Sequence, residues 1–124
     1  MEGSATVDAT LELYRALRAA GHANVGIVLQ SRLRRTLDDV RALAPLVPDV
    51  RLCKGIYVEP PEVAYPDAPS VRASFLHVLD ELLAAGSAIG LATHDEWLLC
   101  ESLARVDAAS GRAAGLDEVQ MLLG

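Results

Sequence analysis

Residues 50–58 read Val-Arg-Leu-Cys-Lys-Gly-Ile-Tyr-Val, bracketed by Pro48 and by the pair Pro60-Pro61. β-Branched and aromatic residues between prolines predict a strand. Arg51 and Lys54 disturb that reading, because a guanidinium in a buried strand must meet a carboxylate, a carbonyl or an anionic ligand. Gly55 follows the second cation, and a residue without Cβ lets a negatively charged ligand approach the backbone closely.

Working outward, helices and strands alternate. Thr6 to Ala20 is predicted helical, with Leu11, Tyr14 and Leu17 on one face and Gly21 as the closing glycine. Residues 25–30, Val-Gly-Ile-Val-Leu-Gln, form an apolar strand. Thr36 caps a short helix through Leu37, Val40 and Leu43 that Pro45 stops. After the central strand, Ser70 is expected to cap a longer helix carrying Val71, Phe75, Val78, Leu79 and Leu82 and ending at Gly86. Ala88 to Thr93 is a third strand. Thr93-His94-Asp95-Glu96 reads as a capping box for a helix through Trp97, Leu98, Leu103 and Val106. Leu116 to Leu123 is the fourth strand.

Alternation with near-continuous apolar strands means an α/β fold with a parallel sheet. Strands begin near residues 25, 50, 88 and 116. The repeat of about 30 residues is one-eighth of a (βα)8 barrel of about 250 residues, so the expectation is a partial TIM barrel with about four parallel strands. A doubly wound sheet stays open on periodicity, although no GxGxxG follows any strand. Residues 1–124 read as one incomplete domain.

Composition narrows the function. Hydrophobic residues make up 52% of the 124-residue chain, enough for a core, and aromatics only 4%, so packing rests on Leu, Val and Ala. A formal net charge of −6 opposes nucleic-acid binding. No run of about 18 apolar residues predicts a membrane span, and the first residues lack signal-peptide order. Cys53 and Cys100 have neither CxxC nor metal spacing and read as buried, reduced thiols of a cytoplasmic protein.

Ligands of parallel α/β folds bind beyond the carboxyl ends of the strands. Here those ends carry Gln30-Ser31-Arg32, Lys54-Gly55-Ile56-Tyr57, Thr93-His94-Asp95 and Gln120. His94-Asp95-Glu96 could be imagined as metal ligands, but consecutive residues rarely converge on one ion, and a helix start explains them better. No metal site is expected. His22 and His77 read as surface residues, and Arg32, Arg34 and Arg35 as a solvated helix start.

RLCKGIY (51–57) followed by Glu59-Pro60 resembles the RLxKGxY segment of the FAD-dependent proline dehydrogenases, especially the monofunctional bacterial kind. VLQS, ATHD and EVQMLLG fall in the expected order around it, and the likeness spans essentially the whole chain. The resemblance implies a distorted (βα)8 barrel that holds FAD at its strand ends. It implies oxidation of L-proline to Δ1-pyrroline-5-carboxylate by hydride transfer to the flavin, with electrons passed to a quinone. Carried over residue by residue, Arg51 lies beside flavin N5 as the catalytic cation, and Gln30 bonds the isoalloxazine. Lys54, Gly55, Ile56, Thr93 and His94 line the phosphate and ribose path, and Met1 touches FAD through backbone. Leu52, Tyr57 and Leu122 resemble the residues enclosing the proline ring. A cytoplasmic enzyme meeting its quinone at the inner-membrane surface is the implied setting.

Ile56 stands where alanine is usual, and Arg32 where an aromatic is more common. The family's aspartate before the Met-Glu pair would precede residue 1, and its carboxylate-clamping arginine pair would follow residue 124. A chain of this extent is expected to leave edge strands at 25–30 and 116–123. It is then expected to associate with itself or with a missing segment, and to turn over weakly or not at all. A non-catalytic flavin-binding or interaction module derived from the same barrel is the alternative.

Overall fold

A 3-10 turn at Ser4–Thr6 leads into α1 (Val7–Ala19), which ends where Gly21 adopts φ +94°. The rest follows as β1 (Gly26–Gln30), α2 (Thr36–Leu43), β2 (Asp49–Cys53), α3 (Ala68–Ala85), β3 (Ile89–Ala92), α4 (Glu96–Ala108) and β4 (Glu118–Val119). The computed structural model describes residues 3–109 and the backbone of 118–119. Met1, Leu122 and most of the expected fourth strand lie outside the described residues.

The sheet is parallel throughout, in the order β1-β2-β3-β4. Each strand therefore sits beside the next in sequence, which leaves β1 and β4 as the two edges among the described strands. Register aligns Ile27 with Val50 and Ile89, and Leu29 with Leu52 and Leu91. Side chains alternate along a strand, so these six share one sheet face. They form one core with Leu11 and Tyr14 of α1, Val40 and Leu43 of α2, Leu98 of α4 and the apolar face of α3. Val71, Phe75, Val78, Leu79 and Leu82 are all essentially inaccessible there, each worth roughly 2 kcal/mol as burial. The opposite face carries Gly26, Val28 and Arg51, all exposed, with Val28 and Gly90 flanking Arg51 in register.

Three local expectations change. β2 stops at Cys53 instead of running to Val58, because Gly55 takes φ +110° and turns the chain out of line. Residues 54–58 are therefore loop. The α3 cap is Asp67, whose carboxylate accepts the Ser70 N–H at 2.9 Å and the Ser70 hydroxyl at 2.9 Å. Ser70 is thus the partner of the cap, not the cap. Thr36 is the first residue of α2, and its hydroxyl donates to the Gln30 carbonyl, fastening the helix start to the end of β1.

The arginines after β1 are not simply solvated. The Arg32 N–H donates to the Lys54 carbonyl at 2.8 Å, and its Nε to the Gly55 carbonyl at 3.3 Å. Arg34 Nε donates to the Pro61 carbonyl at 2.8 Å while its guanidinium lies 4.7 Å from the Tyr65 ring centroid. Arg35 pairs with both Asp8 and Asp39. Together Arg32 and Arg34 tack the long β2–α3 loop onto the β1–α2 turn, fixing the rim of the sheet where the polar residues gather.

Candidate functional site at the carboxyl ends of the strands

The turn after β2 sets the site's geometry. A Cβ on Gly55 would lie 2.8 Å from Gln30 Oε1 and 3.2 Å from the Arg32 Cβ. The bare backbone at Gly55 thus makes room for Gln30, a neighbour within the protein, where the sequence suggested room for a ligand. Gln30 is 8% exposed. Gly55→Ala is expected to cost about 2 kcal/mol, from a backbone geometry that L-residues rarely adopt and from displacement of the Gln30 amide. Urea unfolding of the variant measures this, and an unchanged midpoint would show that the turn is not under constraint.

Past the turn, charges converge on Asp95. Its Oδ2 lies 2.7 Å from Arg72 Nε and 3.3 Å from Lys54 Nζ, and its Oδ1 accepts the Leu98 N–H at 3.1 Å. The cap of α4 is thus Asp95, two residues later than the expected Thr93. Thr93 instead accepts the Asp95 N–H at 3.1 Å, a turn that sets up the cap. Burial of the Asp95 side chain works to raise its pKa, but the bonds from Arg72, the Leu98 N–H and Lys54 outweigh it and hold the carboxyl at about 2. It stays ionised at neutral pH.

A cavity of about 820 Å³ opens beside this cluster, lined by Arg51, Lys54, Gly55, Ile56, Thr93 and His94 together with Cys53, Arg72, Ala92, Asp95, Glu96 and Trp97. Most of the residues expected at a cofactor therefore do meet, from two strand ends. Gln30 adjoins them under Gly55. Arg51 is exposed and has no hydrogen bond or ion pair with any described residue, a guanidinium presented on the open sheet face. His94 and Ile56 are exposed, and Thr93 is buried.

Two expected substrate contacts, Leu52 and Tyr57, are not among the residues lining this cavity. Leu52 is fully enclosed in the core on the helix-covered face, opposite Arg51, so in this structure it packs and presents no surface to a ligand. Tyr57 lies beyond β2 on the loop, 44% exposed. Cys53 is buried, its Sγ donating to the Leu29 carbonyl at 3.5 Å; burial pushes its thiol up to about 11, although Arg51 works the other way. It is neutral and no nucleophile. Cys100, expected buried, is exposed.

The chain matches proline dehydrogenases from end to end. It is 41% identical to proline dehydrogenase of Deinococcus radiodurans across all of its own length and 40% of that protein's. The chain belongs to the proline dehydrogenase family. It is 32% identical to proline dehydrogenase 2 of Bacillus subtilis, again over its full length and 40% of that relative, and 33% identical to proline dehydrogenase 1 of the same species over 77% of the chain. No family model matches it. The chain spans about 40% of the length of the curated relatives that it matches throughout.

Arg72 and Trp97, which also line this cavity, carried no functional signal in the sequence. Arg72 sits in the first turns of α3, next to the core residue Val71, and Trp97 reads as one more apolar residue of α4. Only the tertiary fold brings them together, with the Arg72 guanidinium 5.5 Å from the Trp97 ring centroid.

Proposed function

We propose that this chain is one part of a (βα)8 barrel that binds FAD and oxidises L-proline to Δ1-pyrroline-5-carboxylate, with a quinone as final electron acceptor. Strand order and the one-sided layer of the described helices support the barrel: a doubly wound sheet carries helices on both faces, whereas all four described α-helices feed one core. The observation that carries the cofactor reading is Arg51, a guanidinium on the open face without a hydrogen-bond or ionic partner among the described residues, sharing a cavity with Lys54 and Arg72 in a chain of net charge −6. That donor set suits an anionic dinucleotide.

FAD, when bound, supplies the acceptor for the hydride that leaves proline. Arg51 faces the redox ring and favours the negative charge it gains. Gln30, held rigidly under Gly55, offers its amide to the ring's edge. Lys54, Gly55 and Ile56, with Thr93 and His94, flank the phosphates and ribose. Met1 and Leu122 keep the roles the resemblance gives them, and Tyr57 forms part of the wall around proline. Leu52 supports Arg51 from behind by locking β2 into the core.

The proposed quinone exchange takes place at a membrane surface, the setting that the resemblance implies; no described helix is long and apolar enough to cross a membrane. Purified chain mixed with FAD and passed through a desalting column is expected to carry a yellow chromophore, and Lys54→Met is expected to lose it about tenfold faster. Colourless protein would sink the flavin assignment. Added proline is expected to bleach the chromophore slowly at best, since the chain spans about 40% of its relatives. Bound flavin that proline never bleaches would make the chain a non-catalytic flavin module.

A further inference from the structure

Trp97 is the chain's single tryptophan, yet it is 53% exposed while its neighbour Leu98 is fully buried in the core. A large indole is normally a major part of a core. Here it lines the cationic cavity instead, with the Arg72 guanidinium stacked on it. Arg72 is itself anchored: its Nε bonds Asp95, and its two terminal nitrogens bond to nothing among the described residues. Lys54 Nζ reaches the same carboxylate oxygen. A guanidinium and an ammonium within bonding distance of one oxygen stand close enough together to grip one phosphate group, and an aromatic face lies beside them.

We propose that Trp97 and Arg72 form a shelf for the purine ring of a nucleotide, with Arg72 and Lys54 holding its phosphates. Stacking on an indole is sequence-tolerant and strong, and a guanidinium on the ring adds a cation–π contribution. The proposal rests on the nucleotide-cofactor reading above, and it places the adenosine half of that cofactor at the start of α4. Asp95 keeps both cations oriented without neutralising them, since one carboxylate serves two positive charges.

The single tryptophan makes the test direct. ADP titrated into the 124-residue chain is expected to change Trp97 emission saturably. Arg72→Gln is expected to weaken that binding about tenfold. By equilibrium dialysis, Trp97→Ala is expected to bind ADP about tenfold more weakly, and Trp97→Phe nearly as well as the parent. No saturable response to ADP, or equal affinity in Trp97→Ala, would overturn the shelf. FMN, which has the redox ring but no purine, separates the two readings. ADP binding without FMN binding upholds the shelf and removes the flavin assignment; FMN binding without ADP binding does the reverse. Silence with both ligands overturns both.

Discussion

Flavin bound to an Arg51→Met chain is expected to show a midpoint potential about 30–60 mV below that of the parent chain. The direction follows from charge. Arg51 has no ionic partner among the described residues, so its positive charge is not cancelled locally and acts on whatever occupies the open face. A cation favours the state of a neighbouring ring that has gained electrons, and its loss makes reduction harder. A unit charge near a protein surface is worth one to a few kcal/mol to a close neighbour, and about 1.4 kcal/mol corresponds to about 30 mV for a two-electron couple. Flavin retention is expected to change much less, because Lys54 and Arg72 still hold the phosphates. Arg51→Lys separates charge from shape: it keeps the cation and is expected to recover most of the potential. Redox titration against a dye of known potential gives all three values. Equal potentials in the parent and Arg51→Met would remove Arg51 from the redox ring's vicinity.

Arg51 also shows why the sequence reveals the role of a strand more readily than its extent. The residues from Val50 to Cys53 marked β2 as a strand, but which of its side chains face the helices came only from the structure, where the pleat sets Val50 and Leu52 inward and Arg51 outward. The same residues named the parallel sheet and the helix faces, with Val71 to Leu82 of α3 falling where 3.6-residue spacing puts them. What sequence could not reveal is where pairing ends. Tyr57 and Val58 have strong strand character, but the backbone at Gly55 turns away, and a positive φ is invisible in composition. The caps failed for a related reason. Thr93 and Asp95 are both good capping residues, and the choice between them depends on Lys54 and Arg72, which reach Asp95 from other elements. Leu52 is a case of another kind: the resemblance assigns it to the ligand, and in this structure its side chain is fully enclosed in the core. Trp97 had no local signal at all, since exposure is decided by what packs against a helix and not by the helix.

Asp95→Ala is expected to lower the stability of the chain by about 3 kcal/mol and to disorder the cation pair beside the cavity. Loss of the α4 cap accounts for about 1 kcal/mol of this. The remainder comes from leaving Lys54 and Arg72 together without their shared carboxylate. Removing one partner from a buried ion pair costs about 3–5 kcal/mol, but both cations are more than a third exposed, and water recovers part of that. Asp95→Asn isolates the charge, because Asn still caps. Acid unfolding then supplies the sign. With a folded pKa of about 2 against an ordinary value near 3.9, the carboxylate contributes stability that is complete above about pH 4 and lost as pH falls toward 2. The gap between parent and Asp95→Asn should therefore shrink by about 2 kcal/mol across that window. Urea midpoints measured at a series of pH values between 2 and 6 decide it. A gap that stays constant would mean that Asp95 gains nothing from ionisation in the fold, and that the cations of the cavity are arranged by some other group.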